Sequence, residues 1–445
     1  MKGIYHSTVS RRDFMKALGL GAAGLGAATA TIPAFNDLDE IIAKPEGGDE
    51  NLPWWIKERD YLDPTTEVDW NILQRFDGTK YPMIPGFAPG SPASLASQLS
   101  PERLAKMLSD YGSMENDCLE KDNVPGFTRR DWAFSRAVPG VIQRMSYRNG
   151  HNYACFMGDE KMMAEVQSLQ DVGYPRWNGS EEENARMIRT FLRYIGGHRV
   201  RFLAIDERVK KIVNTGDYRD PSRPFVFEDC TKPYEGTDRK AIPNNGKYAI
   251  VFSYQGSWET AMRPDTWIYR GGALKQCLDG DEPSLYLQRF LKALGYWGIT
   301  SDDFTGLCSH PAAGVLSGHG ELGRISQCVC PDTWARCTRM VITDLPVPPS
   351  NPIDFGLARF CGTACTKCAD VCPNNAIYKE IEPTWEMPSD PGNSYLKPEE
   401  FCVPGKKVWP LNHVNCMEYM TSRNFSLCGI CYANCVYNKL HDANI

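Results

Sequence analysis

Residues 361–377 read CGTACTKCADVCPNNAI, so Cys361, Cys365, Cys368 and Cys372 crowd into twelve positions and Pro373 follows the last. A second group, Cys416, Cys428, Cys431 and Cys435, repeats the same closing pattern of two and then three residues between thiols. That repeat constrains the fold more than any other feature of the chain. Two residues between ligands let a loop curl round one corner of an iron–sulfur cube with its amides aimed at the sulfides. Proline after the fourth thiol fixes φ and turns the chain away, here toward a helix expected to begin at NNAI, residues 374–377. In such paired runs the fourth thiolate serves the other cluster. One 4Fe–4S cluster is therefore expected on Cys361, Cys365, Cys368 and Cys435, and a second on Cys416, Cys428, Cys431 and Cys372. The gap after Cys361 holds three residues instead of two, and eleven residues separate Cys416 from Cys428, so Cys402 stands as a substitute ligand for either cluster. A zinc site prefers two knuckles of two ligands each and accounts for neither the doubled run nor the proline.

The rest of the chain is too long to be only a carrier of these clusters. It has 445 residues, of which 42% are apolar, enough for a large core with an appended module. The formal net charge of −6 removes the basic footprint of a nucleic-acid binder. The N-terminus, STVSRRDFMKALGLGAAGLGAATATIPAF, sets Arg11 and Arg12 before a short Gly/Ala-rich apolar stretch, the form of a twin-arginine export signal over residues 1–34. Eight of the seventeen cysteines lie in the two tight groups, whereas a disulfide framework spreads its cysteines. Export of an already folded protein suits cofactors inserted in a reducing cytoplasm.

Helix and strand patterns alternate through the middle of the chain, giving an α/β or α+β core. SEEENARMIRTFLRYIGG opens on Ser180 with Glu183 three residues later, a capping box, and carries Met187, Ile188, Phe191, Leu192 and Ile195 as its apolar stripe. Strands are expected at 199–205, 247–254 and 339–346, and a helix at 283–296. The expected organisation is a signal at 1–34, an N-terminal unit at 35–175, a core at 176–350 and an iron–sulfur module at 351–445. For Trp54, Trp55, Trp70, Trp132, Trp177, Trp258 and Trp267, core packing is the default, with one or two walling a pocket.

Along nearly its whole length the chain resembles the corrinoid-dependent reductive dehalogenases of organohalide respiration. The resemblance runs through SRRDFMK, PWWIKERDYLDPTTEVDW (53–70), YPRWNGSEEENARMIRT (174–190), KALGYWG (292–298), LSGHGELGR (316–324) and TDLPVPPSNPIDFG (343–356). It implies an α/β (α+β) cobalamin-binding core with an appended ferredoxin-like two-cluster 4Fe–4S module. It implies a base-off, noncovalent corrinoid, and no Asp-x-His-x-x-Gly corrinoid-ligand motif occurs here. The corrinoid would lie against Ser317, Gly318, His319, Gly320, Glu321, Gly323 and Arg324, the glycines permitting close approach to a flat ring and His319 or Arg324 meeting its periphery. The family's proton donor is a tyrosine assisted by a cation, which points to Tyr269 in DTWIYRGG and to Arg339, with Arg336 as the alternative cation; Tyr286 reads as packing. The implied partners are a small organohalide, a small integral-membrane anchor subunit and a respiratory electron donor, at the outer face of the cytoplasmic membrane. The competing readings are an epoxyqueuosine reductase-like corrinoid and iron–sulfur enzyme, or an electron-transfer subunit without substrate.

Overall fold

In the computed structural model, residues 52–81, 95–137, 156–217, 220–301, 306–332, 338–387, 396–423 and 427–438 are described. The expected export signal and Arg336 lie outside them. The elements that matter for the site are, in chain order, α1 (Pro101–Lys121), α2 (Arg129–Ala137), α3 (Glu181–Tyr194), β1 (Val200–Ala204), β2 (Tyr248–Ser253), α4 (Trp267–Leu294), β3 (Gly298–Ile299), α5 (His310–Leu316), β4 (Glu321–Leu322), β5 (Cys328–Val329), β6 (Thr338–Thr343), α6 (Leu357–Thr363), α7 (Lys367–Asp370), α8 (His413–Ser422) and α9 (Ile430–Asn434). The result is a mixed α/β fold.

The central sheet has the order β1-β2-β6-β3, and each neighbouring pair is antiparallel. Its strands read as almost unbroken apolar runs because both faces are covered. Phe202, Ile250, Phe252 and Val341 join Ile188 and Leu192 of α3 and Leu287 and Leu291 of α4 in one core. Leu203, Ala249, Val251, Met340 and Ile342 point the other way, onto Ala313 and Leu316 of α5 and onto Val209, Ile212 and Phe225. The period-2 alternation of side chains across a strand produces this division.

The expected α3 forms with its capping box complete: the Ser180 hydroxyl accepts from Glu183 N–H, and the Glu183 carboxylate accepts from Ser180 N–H. The helix expected at 283–296 is far longer. It starts at Trp267, capped by the Thr266 hydroxyl, and runs 28 residues, about 42 Å. Proline commonly opens a helix, which is why Pro283 reads as a start. Here Pro283 sits inside one, because the upstream half is held by tertiary contacts. Trp267 packs edge-on against Phe127 at 5.3 Å, and Tyr269 and Leu274 join the core of Leu95, Leu99 and Met107.

That last core continues into Phe401, Val414, Met417 and Leu427, so it spans the expected boundary between the N-terminal unit and the cysteine-bearing segment. A two-pronged ion pair supports it, with Arg103 Nε and Nη2 donating to Glu418 at 3.0 and 2.6 Å.

Leu291 has no exposed surface where α4 meets the sheet, whereas Tyr194 at the end of α3 is 85% exposed. Leu291→Ala should cost about 2–5 kcal/mol in denaturant unfolding. Tyr194→Ala should stay within about 0.5 kcal/mol of the parent.

Candidate functional site: two cysteine groups beneath the sheet

The cysteine-bearing loops hang on four short helices. Cys361 lies in α6, Cys368 in α7, Cys416 in α8 and Cys431 in α9, and α7 packs on α9. This packing folds the chain back so that Cys435, past the end of α9, lines one cavity with Cys361, Cys365 and Cys368. Burial pushes the Cys361 thiol up to about 11 and Cys368 up to about 12, and neighbouring thiolates add to the rise at both. Burial also raises Cys428, up to about 12, and Cys431, with Cys416 and Cys372 among the charges that bear on each. Free thiols so placed hold their protons, so a metal that binds here must displace them.

Backbone amides reach the sulfurs. Ala376 N–H donates to Cys372 Sγ at 3.2 Å, and the amides of Arg324 and Ile430 donate to Cys361 and Cys428. The helix expected at 374–377 does not form. After Pro373 the chain makes a turn, spends the Ala376 amide on sulfur and bridges Ile377 to Leu411. Cys402 belongs to the core of Phe401 and Met417, and the charge that bears on it is Lys406. Among the described residues no three His, Cys, Asp or Glu side chains converge on one point as a single metal ion requires. A four-iron cube asks for something else, since each thiolate meets a different iron and the four stand round a space.

The segment Ser317–Arg324 is buried between the sheet and this lobe. The Ser317 hydroxyl lies 2.9 Å from His319 Nδ1, and His319 Nε2 lies 3.2 Å from Arg199 O. The Glu321 carboxylate accepts from the amides of Phe355, Leu357 and Ala358 where α6 begins. All five N–H donors of Arg324 go to carbonyls, those of Cys361, Cys365, Tyr378, Glu380 and Ile381. The glycines serve the protein's own backbone: a side chain on Gly318 would strike Asn351 O, and one on Gly320 would strike Val329 O. Of the seven residues expected to lie against a flat ring (Ser317, Gly318, His319, Gly320, Glu321, Gly323 and Arg324), the side chains of Ser317, His319, Glu321 and Arg324 bond to the protein's own groups, and Gly318 and Gly320 face its own backbone. Gly323 and Arg324 line the cysteine cavity, and Glu321 pins the start of α6. Trp409, outside the seven tryptophans singled out from the sequence, lies under the Arg324 guanidinium at 5.1 Å.

Arg339 is wholly buried on β6. It donates to Asp281 Oδ1 from Nε and Nη2 at 3.1 and 3.0 Å, and to the Tyr254 hydroxyl from Nη1 at 2.7 Å. Register puts Arg339 opposite Phe252, so Tyr254 is its diagonal neighbour on the same face. Tyr269 is elsewhere. Its ring lies against Gly429, next to Cys428. Arg339 meets α4 eight residues on, at Cys277 O, about 12 Å along the helix axis. The sequence reading missed Tyr254, although its place at the end of an apolar strand preceding a helix was visible.

The family is shown by the family model, and the curated relatives point the same way. The family model described as reductive dehalogenase subunit matches residues 51–347. The chain is 27% identical to the trichloroethene reductive dehalogenase of Dehalococcoides mccartyi strain 195, over 97% of this chain and 88% of that protein. It is 28% identical to the chloroethene reductive dehalogenase of strain VS, over 98% and 88%. A solved reductive dehalogenase, described with a mechanism for B12-dependent dehalogenation, superposes with a TM-score of 0.56 at 20% identity. That match covers 86% of this chain and 44% of the solved one, so the chain spans under half the length of that structure. The chain belongs to the reductive dehalogenase family, oxidoreductases that act on carbon–halogen bonds.

Burial, with Arg199 and Arg201 adding to it against a weaker pull from Asp332, holds His319 down at about 3. The folded value lies below the unfolded one near 6.5, so this contribution to stability is present above about pH 6.5 and is lost as pH falls toward 3. Between pH 7.5 and 5.5 the parent should lose about 1.4 kcal/mol more in denaturant unfolding than His319→Gln. Equal losses would show that His319 is not the buried neutral group.

Proposed function

We propose that this chain is a reductive dehalogenase that replaces a halogen of a small organohalide with hydrogen, the electrons arriving through two 4Fe–4S clusters. The overall change is R–X plus two electrons and one proton giving R–H and halide. The observation that carries the reading is the fold-back that sets Cys435 beside Cys361, Cys365 and Cys368 inside a protein matched over almost all its length by chloroethene and trichloroethene dehalogenases. Chloride on a chlorinated alkene is accordingly the first substrate to try.

The cysteine residues fit iron–sulfur clusters: four thiols ring a cavity, amides reach sulfurs in both groups, and each group draws its fourth thiol from across the module. When bound, such clusters supply electrons singly. The resemblance also implies a corrinoid, and the solved relative is described as B12-dependent. The side-chain donors of Ser317–Arg324 are engaged within the protein in this structure, as are Gly318 and Gly320, and no step is assigned to that segment.

For the proton we assign Tyr254 as donor, with Arg339 as the group that tunes it. A guanidinium 2.7 Å from a phenol oxygen favours the tyrosinate, which makes the phenol a better acid. Asp281 holds the guanidinium in place from the other side. Tyr269 is kept as the competing donor, since its hydroxyl lies by the second cysteine group. Among the described residues no helix is long and apolar enough to cross a membrane. Export by the twin-arginine signal, a membrane anchor subunit and a respiratory electron donor complete the reading.

Anaerobically purified protein should hold about eight iron per chain together with cobalt; iron without cobalt would leave an electron carrier. Tyr254→Phe should lower dehalogenation about 100-fold or more with both metals retained. Turnover like the parent in Tyr254→Phe, with loss in Tyr269→Phe, would move the donor to Tyr269.

A further inference from the structure

We propose that Arg324 is the positioning residue of the first cluster: it clamps the loop that holds Cys361 and Cys365, and its uncompensated charge raises that cluster's reduction potential above the second's. This rests on the reading that Cys361, Cys365, Cys368 and Cys435 hold an iron–sulfur cluster.

The guanidinium is 1% exposed. Its donors reach Cys365 O at 3.1 Å, Tyr378 O at 2.9 Å, Glu380 O at 2.5 Å, Cys361 O at 2.7 Å and Ile381 O at 3.2 Å. Two of these carbonyls belong to thiol-bearing residues of the first group, and the other three lie on the irregular segment that follows. Among the described residues no carboxylate pairs with it. Burying a lone cation is costly, and such a group is kept where an anion meets it. A four-iron cube with four thiolates is an anion, and reduction adds one more negative charge. Arg324 lines the cavity those thiols share, and its backbone amide donates to Cys361.

The second group has a different electrostatic neighbour. Asp265 bears on Cys428, and its N–H donates to Cys428 O at 2.5 Å. Arg423 pairs with that carboxylate at 3.2 Å, so little net positive charge remains there. Cluster potential follows net charge, hydrogen bonds to sulfur and exposure. A buried lone cation on one side and a neutralised pair on the other therefore split the two potentials. The cluster beside Arg324 becomes the one that fills first.

The test is a potentiometric titration followed by electron paramagnetic resonance on anaerobically purified full-length protein, with iron per chain and melting temperature measured alongside. Arg324→Gln should move the higher-potential of the two reduction waves down, by about 60 mV for a tenfold change in the one-electron equilibrium, and leave the other in place, whereas a shift confined to the lower wave overturns the assignment. Arg324→Lys keeps the charge but not the five-point clamp, so its wave should lie between those of Gln and the parent. If the Gln variant instead loses one cluster, half the iron and one wave should go while the second wave stays; this selective loss also supports the proposal. Full iron with both waves at their parental positions in Arg324→Gln overturns it. So does loss of both clusters together in Gln and Lys, which would make Arg324 a support of the whole fold. Parent protein without iron would sink the cluster reading itself, a separate failure.

Discussion

Two charged side chains three residues apart, Glu321 and Arg324, join the core to the cysteine lobe. Glu321 takes the amides at the start of α6, and Arg324 takes the carbonyls further along the same loop. One side chain accepts and the other donates, so both kinds of unpaired backbone group in a tight loop are satisfied from a single hairpin. A loop this short, with a thiol every few residues, cannot build a helix or sheet long enough to pair its own backbone. Burial also pushes the Glu321 carboxyl up from its usual range, even against three amides, which shows how little water reaches this joint. Other polar ties, Arg103–Glu418 and Asp265–Arg423, join the lobe to the N-terminal helices and to the start of α4; the hairpin is what fixes the loop of Cys361 and Cys365.

On the proposed reading, the central sheet, separate from the hairpin that makes this joint, positions the proton-donating pair. Antiparallel register between β2 and β6 brings Arg339 within a hydrogen bond of Tyr254 although 85 residues separate them. A one-residue slip would turn Arg339 to the α5 face and break the contact. Slippage is resisted because both faces of these strands are apolar and covered. Arg339 is thus a charge held inside an apolar sheet, made tolerable by Asp281 from α4 and by the Tyr254 hydroxyl. Such a group is held at a cost in stability, which makes it a candidate functional position.

What the sequence disclosed follows the range of the forces involved. The α3 capping box, the alternating strands and the cysteine runs were readable because each depends on residues a few positions apart. Pro283 misled because its local preference for a helix start was overridden by Trp267 and Tyr269 packing far upstream in the same helix. The turn at 374–377 replaced a helix because the Ala376 amide found Cys372 Sγ. Gly318 and Gly320 looked free to meet a ligand; only the positions of Asn351 O and Val329 O, distant in sequence, show what they accommodate. Tyr254 was missed for the same reason, since register is a property of two strands and not of either one.

On the proposed reading, one element spans both the cluster side and the proton side of the site. The first turns of α4 set Tyr269 against the Cys428 loop, and its middle offers Cys277 O and Asp281 to Arg339. The separation is about 12–18 Å along the axis, fixed by 1.5 Å per residue over eight to twelve residues. A hydrogen-bonded helix holds that distance far better than a loop would. Electron delivery weakens steeply with distance, and proton delivery needs contact, so an enzyme using both must fix the spacing between them. Pro283 lacks the N–H that would reach Asp279 O, so the helix gives up one hydrogen bond across the turn that carries Asp281. Helical spacing thus sets the interval between the second cysteine group and the Tyr254–Arg339 pair, with the loosened turn at its far end, beside Asp281.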